Sequence, residues 1–201
     1  MKTVTDIEIS QEIYERQNDI LSNIDIESID VYLWLRNEFK KGNILENTVF
    51  QFVFRSYYLL DSAGLGEKVK KRYFELLADK QTDLEKVLVE LYQIETLRKR
   101  KTIQFSFATK LLHTIDNNNP IFDSKVARVI HRNVSGTTRD ARVASCIEIY
   151  TYMKRLYPDL IKEERIKKVI EKFRTKFNVT SDKMPDIKIL DFLIWSLGKL
   201  I

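Results

Sequence analysis

Apolar residues along this chain recur mainly at intervals of three and four, the period of one face of an α-helix. Ile9, Ile13, Ile20, Leu21 and Ile24 keep that spacing with one polar gap and predict a first amphipathic helix. Ser28 is placed to cap a second, with Ile29, Leu33 and Phe39 inward and Gly42-Asn43 at its end. Residues 49–60 (VFQFVFRSYYLL) are apolar nearly all round. Phe50, Phe52 and Phe54 alternate as in a strand, but the length of the run predicts a buried central helix. Ser62-Ala63-Gly64-Leu65-Gly66 reads as a helix end and turn, since it lacks the Lys-Ser/Thr pair and preceding strand of a phosphate loop. Glu67–Ala78 follows as a helix with Val69, Tyr73, Phe74 and Leu77 on one side. Thr82 and Glu85 form a capping box for the next, whose inner side is Val87, Leu88, Leu91 and Ile94.

Residues 105–129 (FSFATKLLHTIDNNNPIFDSKVARV) read as an amphipathic helix, an Asn-rich turn, a Pro-Ile-Phe approach and an aspartate opening another helix. Thr137 or Thr138 then starts a long helix with Val143, Ile147, Tyr150 and Met153 as its inner row, ended by Pro158-Asp159. Residues 160–177 form a Lys-rich amphipathic helix, and Pro185 precedes a closing apolar one, KILDFLIWSLGKLI. The expected fold class is all-α, with about ten helices and no strand.

Composition agrees. Five Gly and three Pro in 201 residues leave little room for the many tight turns of a β protein. The length suits one domain over 1–201 with a substantial core. The single cysteine, Cys146, excludes an internal disulfide and reads as a small core residue. With no signal-peptide core and no apolar run of about 18 residues, a cytoplasmic protein with no membrane partner is expected. Two histidines and one cysteine supply no metal-ligand spacing, so neither metal nor other cofactor is expected.

Charge is unevenly spread. Residues 1–30 hold two cations against eight acids, net −6, which leaves +11 for the remainder of a chain at +5. An acidic N-terminal helical arm beside a basic body suits either a polyanion-binding surface or a protein-docking element in the arm; ordinary solubility charge is the plain alternative. Arg98, Lys99, Arg100 and Lys101 are consecutive in a turn between helices, as phosphate contacts or as a solvated loop. Lys125, Arg128 and Arg132 are spaced for one face of the Asp123 helix, and Arg139 and Arg142 follow, giving a basic stripe or a solvated face.

The candidate chemistry centres on Asp123. A carboxylate at a helix N-terminus accepts backbone N–H bonds and stays ionised; it is either a structural cap or a carboxylate able to stabilise a cationic sugar. Ser106, Lys110 and His113 share a face of the preceding helix, as a second polar site or as hydrogen-bonding groups that orient the Asn-rich turn. Tyr57, Tyr58, Trp34 and Trp195 are candidates to stack on an extruded base, or simply core.

The segment Pro120-Ile121-Phe122-Asp123-Ser124-Lys125-Val126-Ala127-Arg128-Val129 resembles the Pro-Val-Asp-Thr-His-Val-x-Arg-Val signature of helix-hairpin-helix base-excision DNA glycosylases. Residues 45–200 look like a group of small bacterial proteins with an 8-oxoguanine-glycosylase-like fold. The resemblance implies an orthogonal helical bundle, a duplex DNA partner with a flipped base, and Asp123 as the carboxylate that promotes glycosidic cleavage. Three positions depart from the family. Its Gly-hydrophobic-Gly phosphate hairpin is here ETLRKRKTIQF, without glycine. Its strand-cleaving lysine, eighteen residues before the aspartate, is here Phe105, so no Schiff base forms there and any activity is monofunctional. Lys110 lies roughly 140° around the helix from Phe105, at about 100° per residue. Lys125 stands where the family commonly has histidine. The expected function is a DNA-binding protein of the base-excision type, a monofunctional N-glycosylase. The alternatives are a catalytically silent nucleic-acid-binding descendant and a helical protein-interaction scaffold.

Overall fold

A computed structural model describes residues 6–201, with side chains from residue 8 onward, and contains eleven α-helices and no strand among them. The first five residues of the acidic segment, Lys2 included, lie outside the described residues. The helices are α1 (Asp6–Glu15), α2 (Gln17–Ser22), α3 (Ile26–Lys41), α4 (Thr48–Tyr57), α5 (Glu67–Ala78) and α6 (Leu84–Tyr92). They continue with α7 (Phe105–Ile115), α8 (Ser124–Ile130), α9 (Arg139–Lys162), α10 (Glu164–Phe177) and α11 (Asp186–Leu200). No helix among the described residues is long and apolar enough to cross a membrane.

The core is one continuous cluster running from Ile9 to Leu197. At its centre is α11, whose Ile189, Leu190, Leu193, Ile194 and Leu197 are fully buried. A helix apolar all round must be covered all round, and α1, α2, α8, α9 and α10 all pack against it. Its approach to α8 is close. A Cβ on Gly198 would lie 2.2 Å from the Lys125 carbonyl oxygen, so only glycine permits this contact. Within that core, aromatic rings join α4 to α5, with Phe54 5.8 Å from Tyr73 and 5.6 Å from Phe74 between ring centroids.

Several boundaries differ from the sequence expectation, each for a physical reason. The polar gap after Ile13 is a real break: Arg16 leaves helical geometry between α1 and α2, while Ile9, Ile13, Ile20, Leu21 and Ile24 remain buried. Helix α3 starts after Asp25 rather than at Ser28. The Asp83 carboxylate, not Thr82, caps α6 by accepting from Lys86 N–H at 3.1 Å. Pro158 sits inside α9, which runs on to Lys162. A mid-helix proline costs about 3 kcal/mol; burial of Leu156, Tyr157 and Leu160 around it, at roughly 1.5–3 kcal/mol for each side chain, offsets that cost.

Helix α4 is not the buried central helix that its composition suggests. Phe50 and Phe54 are fully buried, but Val49 and Phe52 are 59% and 63% exposed. Helices α1 and α2 pack against the bundle, with α1 on the Lys-rich α10. Lys172 donates to the Gln17 side chain, and Lys176 to the Leu21 carbonyl at 2.7 Å.

Candidate functional site

Helices α7 and α8 form the frame. After α7 the Asp116 carboxylate accepts the Asn118 N–H at 3.0 Å, the local turn its residue type favours. His113 closes that turn from below. Its Nδ1–H donates to the Asn119 carbonyl at 2.6 Å, which leaves Nε2 to accept the Tyr32 hydroxyl at 3.3 Å. Burial, reinforced by the positive charge of Lys188, pushes His113 down to about 3. The chain then rises through residues 120–122. Thr109 accepts the Phe122 N–H at 3.0 Å, and Asp191 accepts the Ile121 N–H at 3.3 Å. These two bonds deliver Asp123 to the start of α8. There its Oδ1 accepts Lys125 N–H at 2.8 Å and Val126 N–H at 3.0 Å. Both cap bonds end on Oδ1, so Oδ2 takes no part in the cap.

Asp123 lines a pocket of about 310 Å³. Tyr57, Tyr58, Phe192 and Trp195 supply aromatic surface, and the charges are Lys110, Asp123, Lys188 and Asp191. Lys188 and Asp191 are a buried ion pair at 2.8 Å, 4% and 7% exposed in their side chains. The Lys188 ammonium also lies 4.3 Å from the Phe192 ring centroid and 4.8 Å from that of Tyr32. Lys110 donates to the Ser106 hydroxyl at 3.0 Å and lies 4.9 Å from the centroid of the Phe107 ring. Burial lowers the pKa of Lys110, and nearby Lys188 adds to this, while Asp123 and Asp191 pull it back up. A larger cleft of about 610 Å³ lies over the 114–118 turn; its cations are the half-buried Arg36 and the exposed Lys40 and Lys80, and Asp116 is its one acid.

The residues nominated from sequence therefore separate. Lys110 and Asp123 meet in one pocket, whereas His113 is fully buried and lies outside it. Phe105 packs its ring 4.5 Å from that of Phe122. Tyr57, Tyr58 and Trp195 reach the pocket; Trp34 does not. The basic stripe disperses. Helix α8 ends at Ile130 and the chain turns at His131 (φ +51), so Arg132 is not on the face of Lys125 and Arg128. Arg128 donates to the Gly198 and Ile201 carbonyls, both at 3.3 Å, closing the C-terminal end of α11. Arg132 stacks 4.1 Å over Tyr152 and pairs with Glu148, and Arg139 pairs with Asp140 at 2.6 Å. Arg142 is exposed and Lys125 half-buried. Arg98, Lys99, Arg100 and Lys101 are all exposed in a turn closed by Thr96 N–H to the Arg100 carbonyl at 3.0 Å. Cys146 is buried, which pushes its thiol up to about 12.

Sequence reasoning missed Lys188 and Asp191. The available signal was a charged pair three residues apart inside an otherwise apolar helix, where an unpaired charge would be very costly. No family model, curated protein or solved structure matches this chain.

Proposed function

We propose that this protein binds duplex DNA and hydrolyses the N-glycosidic bond of a nucleotide extruded into the Asp123 pocket. The observation that carries the reading is that Asp123 and the desolvated Lys110 line the same aromatic pocket. Aromatic walls suit a flipped base, which such enzymes hold by stacking. The bond from the sugar C1′ to the base nitrogen breaks with its electron pair leaving on the base. The Asp123 carboxylate stabilises the resulting sugar cation and takes the proton of the attacking water. Lys110, an ammonium made more acidic by burial, supplies the proton that the departing base needs. The exposed cations of residues 98–101 contact phosphate and make binding fall with salt. The likeness of residues 120–129 to the glycosylase signature supports the same assignment.

The test is a panel of labelled duplexes carrying damaged and modified bases, with alkali to reveal abasic sites. Asp123→Asn keeps the cap acceptor and removes the charge. It is expected to lower cleavage by about a hundredfold or more, with salt-dependent binding retained. Cleavage unchanged in Asp123→Asn overturns the reading. A second reading, a nucleic-acid-binding protein that does not cleave, is favoured by the Phe105–Phe122 stack at the family's lysine position. It expects salt-sensitive binding and no abasic product from any duplex.

A further inference from the structure

We infer that the cleft over the 114–118 turn is a binding site for a small organic phosphate of the mononucleotide type. This cleft shares no lining residue with the Asp123 pocket.

At about 610 Å³ it has the size of a small-ligand site. Its wall is apolar, from Phe39, Ile44, Ala78, Ile115 and Pro185. Its cations are Arg36, Lys40 and Lys80. Lys41 pairs with Glu38, but no carboxylate among the described residues pairs with Arg36, Lys40 or Lys80. Asp116, the one acid in the cleft, is spent on Asn118, accepting its N–H and its side-chain amide at 3.0 and 3.1 Å.

Lysines close to helix C-termini commonly serve the last carbonyls. Here carbonyls at those ends have other partners. Gly42 N–H donates to the Phe39 carbonyl at 3.2 Å at the end of α3. After α5, Lys80 N–H donates to the Leu77 carbonyl at 3.2 Å and Gln81 N–H to the Leu76 carbonyl at 3.0 Å. After α7, Asp116 N–H donates to the Leu112 carbonyl at 2.9 Å. The Asn117 amide, turned so that both of its ends are bonded, donates to the His113 carbonyl at 3.0 Å. The ammonium groups of Lys40 and Lys80 are thus left free of capping duty. Lys80 also holds a left-handed backbone, φ +51°, where glycine or asparagine is usual. A turn whose only task was to end α5 would do better with glycine than with an exposed lysine.

The floor is held in place. Arg36 donates to the Asp182 and Lys183 carbonyls through Nη1 and to the Asn117 oxygen at 2.7 Å through Nε. One guanidinium joins α3, the 114–118 turn and the loop before α11, and its Nη2 makes none of these bonds. Arg36, Phe39 and Lys40 are three and four residues apart, so α3 carries a ring and two cations on one face. A phosphate meets Lys40, Lys80 and the free edge of Arg36 through charge-assisted bonds, and a nucleobase covers the apolar wall. Phosphate alone leaves that wall in water, and a nucleoside alone leaves the cations unpaired.

The test is calorimetric titration of the full chain with each common ribonucleoside 5′-monophosphate, with the matching nucleosides and with inorganic phosphate. A mononucleotide is expected to bind at least about tenfold more tightly than its nucleoside or phosphate. Lys80→Gly suits the left-handed turn and Lys40→Ala removes an exposed side chain, so both keep the fold, checked by circular dichroism. Each is expected to weaken mononucleotide binding by about tenfold, while Lys68→Ala, exposed on α5 outside the cleft, behaves as wild type. No mononucleotide binding to the wild type overturns the site, and so does affinity that survives Lys80→Gly and Lys40→Ala. An equal loss in Lys68→Ala overturns it in favour of diffuse surface charge. Inorganic phosphate or a nucleoside binding as tightly as the mononucleotide overturns the ligand class. None of these readouts depends on cleavage at Asp123, so the base-excision reading stands or falls separately.

Discussion

The Asp123 carboxylate spends one of its two oxygens on the cap, since Oδ1 accepts both N–H bonds, while the residue also lines the pocket. The pair Lys110 and His113 shows how finely a helix sorts its residues. Both were nominated from one face, yet three residues of rise, about 4.5 Å, carry His113 past the pocket into the core. Lys110, with a long flexible stem, reaches the pocket that Asp123 also lines. The buried imidazole has a consequence for stability. His113 falls from 6.5 to about 3 on folding, so the unfolded chain binds the proton more readily. Stability is therefore unaffected by this group above pH 6.5 and declines as pH falls from there toward 3, by up to about 1.4 kcal/mol per unit. Urea unfolding at neutral pH and near pH 4.5 checks this: the wild type is expected to lose more stability between the two than His113→Gln. Equal losses would count against a neutral buried histidine.

At the scale of elements, local pattern and tertiary packing part company in α4 and α8. Residues 49–60 are apolar nearly throughout, yet α4 buries only its Phe50 and Phe54 side, against α3 and the α5 aromatics. What looked like core is a helix with one face in solvent and a leucine at the rim of a pocket. Helix α8 was expected to carry a basic stripe through Arg132, but it ends two residues earlier. The contact between α8 and α11 yields a sharp prediction. Alanine in place of glycine inside a helix ordinarily stabilises by about 1 kcal/mol. At Gly198 the added carbon would stand 2.2 Å from the Lys125 carbonyl oxygen. Gly198→Ala is expected to destabilise by about 1–3 kcal/mol instead, read as a lowered thermal midpoint by circular dichroism. An unchanged or raised midpoint would mean that α8 and α11 approach less closely.

Over the whole molecule, the pocket is assembled from α3, the end of α4, α7, the start of α8 and α11, and the Lys188–Asp191 pair ties the last of these to residues 120–122. Removing one partner of a buried pair leaves an uncompensated charge. Lys188→Met is expected to cost about 3–5 kcal/mol, and Lys188→Met/Asp191→Asn to recover much of it, since asparagine still accepts the Ile121 N–H. A double-mutant cycle in urea measures this, and additive losses would rule out the coupling. The sequence by itself determined the helical class, most helix bounds and the Asp123 cap, because periodicity and capping act within one or two turns of chain. It also placed Lys110 and Phe105 on different sides of α7, since that angle is set by helix geometry alone. Only the tertiary structure decided that Lys110 and Asp123 line one pocket, that Arg128 is consumed by the α11 carbonyls, and that α4 exposes an apolar face. Those outcomes depend on which distant segment covers a side chain, and burial is a property of the pair of surfaces, not of either stretch of sequence.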